Sequence, residues 1–380
     1  MKIKLGDVCT FQSGGTPTKE TEEFFNGTIP WITTTALNGG KIDGTQAVNW
    51  ITEKAIEKSA AKLVPAFSIM VGTRVGVGKV AVNTVQMSTS QDIISLINID
   101  ENQWDKDYLC KYIQGKNAFL NSQARGATIK GIKMDVLANL ELEEITLENQ
   151  ARISETIDRV KAILDARKSE LLELDKLVKA RFVEMFGDMF LNSNSWIEQP
   201  LESLADVVSG ITKGRKTKEK NLIEVPYMAV SNVKDGYIDW TTVKTIEATK
   251  QEIEQYRLLP DDVLMTEGGD PDKLGRGAIL KEPLENCIHQ NHIFRVRLNE
   301  SLILPIFFAE YLKQQKAKRY FGGCAKQTTG IASINMRQLK ALPVLIPPME
   351  LQKQFVTFVE EISKSKLLEA RQAGFIAKIS

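Results

Sequence analysis

Leu147-Glu-Asn-Gln-Ala-Arg-Ile153 opens a run in which apolar residues recur at threes and fours: Ile153, Ile157, Val160, Ile163, Leu164, Leu171, Leu174, Leu177, Val178 and Phe182. Charged side chains fill the gaps, and neither Gly nor Pro interrupts before Gly187. The pattern predicts one amphipathic helix of about 40 residues, ~60 Å long at about 1.5 Å per residue. A helix of that length is too long to be buried against one small domain and needs a second helix beside it. The chain supplies one. After Pro347-Pro348, where a helix often starts, Leu351, Phe355, Phe358, Val359, Ile362, Leu367 and Phe375 carry another apolar stripe. The two helices are expected to pair antiparallel and to hold the domains that precede them at a fixed separation.

Outward from these helices the chain repeats itself. Leu5-Gly-Asp-Val8 returns as Leu204-Ala-Asp-Val207, and Ile29-Pro-Trp-Ile32 as Val225-Pro-Tyr-Met228. Asn38-Gly-Gly-Lys-Ile-Asp43 matches Lys234-Asp-Gly-Tyr-Ile-Asp239, and Ser90-Gln-Asp-Ile93 matches His289-Gln-Asn-His292. Ile132-Lys-Met-Asp-Val-Leu137 matches Ile334-Asn-Met-Arg-Gln-Leu339, and Leu147-Glu-Asn-Gln150 matches Met349-Glu-Leu-Gln352. The order is kept at a spacing of roughly 200 residues, the size of a whole domain, so this is a tandem duplication. Within each copy, short β-rich runs such as Phe67 to Val71, Lys79 to Val82, Ile93 to Ile99, Glu224 to Val230 and Ile293 to Leu298 alternate with Gly-rich turns. Helices are expected over 52–62, 105–123 and 303–321. The fold class is therefore α+β. Two similar mixed α/β domains, 1–146 and 188–346, are joined by a long helix over 147–187 and followed by another over 347–380, the helices pairing as an antiparallel coiled coil. A duplicated chain suits a partner with two similar sites.

The hydrophobic share of 43% and charged share of 26% are those of an ordinary globular protein. No apolar run approaches the ~18 residues of a membrane span, and the N-terminus lacks the apolar core of a signal peptide. The 4 cysteines are far apart, which suits free thiols in the cytoplasm. The net charge of +1 argues against a strong stand-alone DNA binder, since phosphate contacts supply much of the affinity. It is compatible with one that shares the electrostatic work with partner subunits.

Catalytic signatures fail on inspection. Gly72-Thr-Arg-Val-Gly-Val-Gly-Lys79 resembles a phosphate loop, but Thr73 and Val80 break its spacing, leaving a tight turn or a basic loop facing a polyanion. Cys287-Ile-His-Gln-Asn-His292 groups three potential metal ligands. Its counterpart, Met87 to Asp92, has no Cys or His, and a surface strand with incidental histidines is the expectation. Asp261 and Glu267 suggest a nuclease carboxylate pair, but Gly269 stands where its lysine would be. No metal site and no catalytic residues are assigned. A duplicated chain with no repeated catalytic constellation is more suited to binding than to catalysis.

What does repeat is a set of polar, glycine-rich, modestly basic loops. Their candidate DNA-contacting residues are Thr16, Lys19, Thr34, Asn38, Arg74, Lys79, Arg125 and Lys130 in the first copy. In the second they are Lys213, Arg215, Lys216, Asn232, Lys273, Arg276, Lys326 and Gln327. Lys, Arg, Thr and Asn contact phosphates, and Arg, Asn and Gln also read base edges bidentately.

The domain–helix–domain–helix order, the paired openings at Leu5 and Leu204, Ile29-Pro-Trp and Val225-Pro-Tyr, Phe186-Gly-Asp188 closing the first helix and Leu345-Ile-Pro-Pro-Met-Glu-Leu-Gln352 opening the second resemble the specificity subunit of type I restriction–modification enzymes. The resemblance spans nearly the whole chain. It implies two target recognition domains, each reading one half of a bipartite site in double-stranded DNA, and helices that space them and dock two methyltransferase subunits. Docking candidates on the helices are Glu148, Gln150, Ile153 and Ile157, with Glu350, Gln352, Phe355 and Val359. S-adenosylmethionine, ATP and Mg2+ are implied for the modification and restriction subunits, with no cofactor in this chain. Half-sites about one helical turn apart, roughly 10 bp, suit two readers at the ends of a helix pair. Ile145-Thr146 replaces the two prolines in the first copy, so its helix start is expected to be less sharply fixed. The last helix is expected to be the shorter. Competing readings are a duplicated stand-alone DNA-modifying enzyme and a scaffold for protein or RNA.

Overall fold

The computed structural model describes residues 2–126, 130–216, 219, 221–269, 274–328 and 331–379, with the backbone alone at 326–328, 331 and 367–379. The chain divides into two units, 1–164 and 165–379.

In the first unit, a five-stranded sheet runs in the order Thr10–Ser13, Ile93–Ile97, Ile69–Gly72, Val80–Asn83, Lys41–Ile42. Only the last pairing is parallel. The middle strands are apolar on both faces because both faces are covered. Ile69, Val71, Val80 and Leu96 pack toward Leu109 and Ile113 of the helix Lys106–Gly115. Met70, Ala81 and Ile93 pack toward Ile32, Leu37 and Met87. A second sheet orders Asn49–Ile51, Phe25–Ile32, Met87–Thr89, Leu63–Val64. Two expected helices are shorter than the pattern suggests. The span 105–123 breaks at Lys116 into Lys106–Gly115 and Asn117–Gln123. The span 52–62 contracts to Glu53–Lys58, capped by Thr52 and ended at Ser59, whose hydroxyl donates back to Ala55 O (2.6 Å).

The second unit repeats the plan. Its sheet orders Ala205–Ser209, Ile293–Leu298, Val263–Thr266, Gly277–Ile279, and a second orders Lys244–Ala248, Ile223–Met228, Ile288–His289. The helix expected over 303–321 is again two, Pro305–Leu312 and Gln315–Cys324. The second sheet of each copy contains a short parallel pairing, with Ile32 opposite Thr89 and Met228 opposite His289. Ser90 N–H then donates to Ile32 O and Gln290 N–H to Met228 O. Ser90 therefore corresponds to Gln290, and the sequence match of Ser90 with His289 is one residue out of register. In a strand, such a slip exchanges the inward and outward faces.

The central helix Leu147–Phe186 is continuous over 40 residues. Thr146 Oγ1 accepts from Asn149 N–H (3.3 Å), so the start has a side-chain cap and does not need the prolines of the second copy. Gly187, at φ 72°, ends it in the left-handed conformation that favours glycine. The terminal helix is Met349–Ile379, 31 residues. Within the second unit, the distal part of the central helix and the terminal helix run antiparallel. Phe182 stands 5.3 Å from Phe355, Arg181 lies over Phe358 at 5.8 Å, and Asp175 pairs with Lys366 at 2.5 Å. Phe182, Phe186, Phe307 and Phe355 form one buried aromatic cluster, with ring centroids 4.9–5.5 Å apart. Among the described residues, no helix is long and apolar enough to cross a membrane.

Candidate nucleic-acid interface

Strand register brings four loops to one end of each central sheet. In the first unit Ser13 pairs with Ile94, Gly72 with Ile93 and Val80 with Val71, so these residues mark a common end. The 14–19 loop and the hairpin 73–79 leave directly from it. Gly39 N–H donates to Val80 O (2.8 Å), which brings in the 33–40 loop. Ile132 N–H donates to Thr73 O (2.8 Å), which brings in the bridge between Arg125 and Gly131. In the second unit Ser209 pairs with Phe294, Thr266 with Ile293 and Gly277 with Met265. Gly236 N–H donates to Gly277 O and Ile334 N–H to Glu267 O, so the equivalent four loops meet there too. Glycine permits the first loop to leave. A Cβ on Gly14 would sit 2.2 Å from Ser90 O, and one on its counterpart Gly210 would sit 1.9 Å from His289 O.

The candidates divide by burial. Lys19, Asn38, Arg74, Lys79, Arg125 and Lys130 are exposed, and Thr16 is half-buried. Arg74 lies 3.8 Å from Asp92, a loose pair that leaves its guanidinium available. Lys213 and Lys216 are exposed and Arg276 is half-buried. Thr34 is buried, so it supports its loop from beneath and does not face solvent. Asn232 is fully buried. Its amide accepts from Ala229 N–H (2.9 Å) and donates to Asp239 O (2.9 Å) and Thr242 Oγ1 (3.2 Å), which commits it to holding the loop together. Arg215 is bound by both oxygens of Glu252, and that hydrogen bonding holds the Glu252 carboxyl below its usual range. Its charge is largely spent inside the chain. Lys273 lies outside the described residues, as do the side chains of Lys326 and Gln327.

Sequence reasoning missed Lys133, which joins Arg74, Gln123 and Arg125 around a cleft of about 560 Å³. Lys133 sits inside a repeated framework motif, where its exposure could not be read. Glu267, one of the expected nuclease carboxylate pair, has a different partner. It meets His292 Nδ1 at 2.5 Å at the loop end of the second sheet. Asp261 lies before the strand Val263–Thr266 and Glu267 after it, with Asp261 paired to Lys281 at 2.7 Å, so the two carboxylates are separated by a strand's length. The Cys287–His292 segment is not a surface strand. Cys287 and His289 are fully buried, and burial pushes the His289 imidazole down to about 4. Among the described residues no group of three His, Cys, Asp or Glu is placed to hold a metal. The 72–79 loop joins two antiparallel strands, so it lacks the helix N-terminus that a phosphate loop requires.

The sequence pattern of the type I restriction modification DNA specificity domain matches residues 1–174 and again 194–373. The chain belongs to that family. Recognition of a DNA target within a type I restriction–modification system is therefore its function. The specificity subunit of the EcoKI type I restriction enzyme of Escherichia coli is 22% identical over 352 residues, which cover 88% of this chain and 75% of that protein. A Methanocaldococcus jannaschii protein named for the MjaX specificity subunit is 29% identical over 167 residues, 44% of this chain but only 39% of its own length. The crystal structure of the specificity subunit from M. genitalium superposes with a TM-score of 0.53 at 16% identity, covering 100% of this chain and 93% of that one, a likeness of fold.

On the helices of this specificity chain, three docking candidates turn inward. Gln150 is fully buried. Its Oε1 accepts from Asp105 N–H (2.8 Å), and its Nε2 donates to Gln103 O and Ile145 O (2.9 Å each). Gln352 repeats this, accepting from Leu304 N–H (2.9 Å) and donating to Leu302 O (3.1 Å) and Pro347 O (2.8 Å). Each glutamine bolts the first turn of a long helix to the start of a domain helix, so neither offers a docking surface. Phe355 belongs to the aromatic cluster, and Val359 is half-buried against the same core. Glu148, Glu350, Ile153 and Ile157 remain exposed. Leu172, Leu177 and Val183 are also exposed on the central helix.

Proposed function

We propose that each unit reads one half of a split DNA target through its four-loop end, and that the exposed apolar residues of the helices dock methyltransferase subunits. The single observation that carries the reading is the recurrence of the same four loops, by the same strand register, at one end of both central sheets. Exposed cations supply phosphate contacts there, and polar side chains supply base contacts. The near-neutral charge suits a chain that leaves part of the electrostatic work to its partners. The chain itself is non-catalytic in this reading and acts in the cytoplasm. S-adenosylmethionine serves the modification subunits, and ATP and Mg2+ serve the restriction subunits.

The test is sequencing of methylated bases in DNA from cells carrying this chain with its modification subunit, and from cells lacking only this chain. A split motif with a fixed gap that vanishes with the chain supports the proposal. Identical methylation in both samples would sink it.

A further inference from the structure

The hairpin 73–79 carries one feature that phosphate binding does not explain. Val75, at its tip, is 58% exposed between the exposed Arg74 and the turn leading to Lys79. The hairpin is firmly built. Gly76 and Gly78 adopt φ of 80° and 77°, and Gly72 N–H donates to Lys79 O (2.8 Å) while Gly78 N–H donates to Gly72 O (2.9 Å). From behind, Asn121 Nδ2 donates to Val77 O (3.0 Å), Thr73 N–H to Asp92 O (2.8 Å) and Ile132 N–H to Thr73 O (2.8 Å). The stem of Lys79 crosses the turn, since a Cβ on Gly76 would lie 2.9 Å from Lys79 Cδ. An apolar, β-branched side chain is therefore held out to water on a rigid finger flanked by two cations. Valine is stiff at χ1, so little side-chain freedom is lost when it is packed against a ligand.

We infer that Val75 is a specificity-determining residue that packs against a thymine 5-methyl group in the major groove, with Arg74 and Lys79 positioning the finger on the backbone phosphates. The inference rests on the reading of the first unit as a half-site reader and names one element of that reading. An apolar contact with the thymine methyl is the base contact that valine is able to make. The neighbouring cations hold it in register but carry no sequence information of their own.

Uracil differs from thymine only by that methyl, so substituted DNA tests the contact without altering the protein. The assembled complex with its modification subunits would be titrated with its target, each thymine on either strand of both half-sites being replaced in turn by uracil. At one thymine of one half-site, uracil should weaken binding about four-fold, the value of one buried methyl. Val75→Ala should bind the thymine and uracil forms of that position equally while still reading the other half-site. Equal binding of thymine and uracil at every position, or a target with no A·T pair in the half altered by Val75→Ala, would overturn the inference and leave the specificity role standing. Absence of any split motif would overturn both.

Discussion

Gln150 gives the sharpest test of how the long helix is joined to the first domain. Its amide satisfies three backbone groups in a site with no solvent exposure: Asp105 N–H, Gln103 O and Ile145 O. Asp105 is also the N-cap of Lys106–Gly115, accepting from Tyr108 N–H (2.6 Å), so one side chain links the first turns of two helices. Gln150→Ala strands all three groups. At about 1–3 kcal/mol for each dry unpaired group, discounted for partial access of water, the loss should be ~3–4 kcal/mol. Amide hydrogen exchange is the suitable assay, because a two-unit chain need not unfold in two states. Protection across 103–115 should fall about 10²–10³-fold, with the 302–312 segment unchanged. Gln150→Glu adds a test of direction. Its carboxylate keeps the bond from Asp105 N–H but faces two carbonyl oxygens, which favours the protonated acid and raises its folded pKa. The protonated acid has one O–H for the two carbonyls, so the glutamate variant should fall short of wild type by about one hydrogen bond below the ordinary carboxylate range and lose further stability as pH rises through the raised value. A loss under about 1 kcal/mol in Gln150→Ala, or equal losses in both variants at every pH, would refute the account of this joint.

Other outcomes follow from the same structure. Phe182→Ala should cost the second unit about 3–5 kcal/mol, read by thermal or urea unfolding, because it empties the centre of the aromatic cluster. His289 is neutral in the fold, with its pKa lowered from 6.5 to about 4 by burial first and by Arg295 second. The unfolded chain takes up this proton first as pH falls, so its contribution is full above about 6.5 and is lost progressively down to about 4. The loss is on the order of 3 kcal/mol, and His289→Gln should remove that pH dependence from the unfolding curve. Arg74→Gln and Lys79→Gln should each lower the slope of log affinity against log salt by about one, measured on the assembled complex. Arg215→Gln should leave that slope unchanged and loosen the 250–256 helix, whose capping residue Glu252 it holds. Inserting or deleting a whole turn within the 147–186 helix should change the gap of the methylated motif and leave both halves intact.

Much of the fold was legible because its signals are local or repeated. The apolar spacing from Leu147 to Phe182 depends only on the helical period, and Gly187 ends the helix where its backbone freedom is needed. The loop set was legible as well, through its cations and glycines. Which loop residues face outward was not. Asn232 reads like any polar loop residue until Asp239 and Thr242 close on it. Arg215 reads as a DNA contact until Glu252, 37 residues away, takes its charge. Gln150 and Gln352 stand at matching places on exposed-looking helices, and only the folded chain turns them inward.

The sequence by itself determined the duplication, the α+β class and the presence of two long helices, because periodicity and repetition are properties of neighbouring residues and of order along the chain. Tertiary structure alone decided the strand register that gathers four loops at one sheet end, the shift of Ser90 onto Gln290, and the division of polar residues into those that face solvent and those that fasten the fold. Burial and hydrogen bonding depend on partners brought from distant parts of the chain, and no local pattern records which partner arrives.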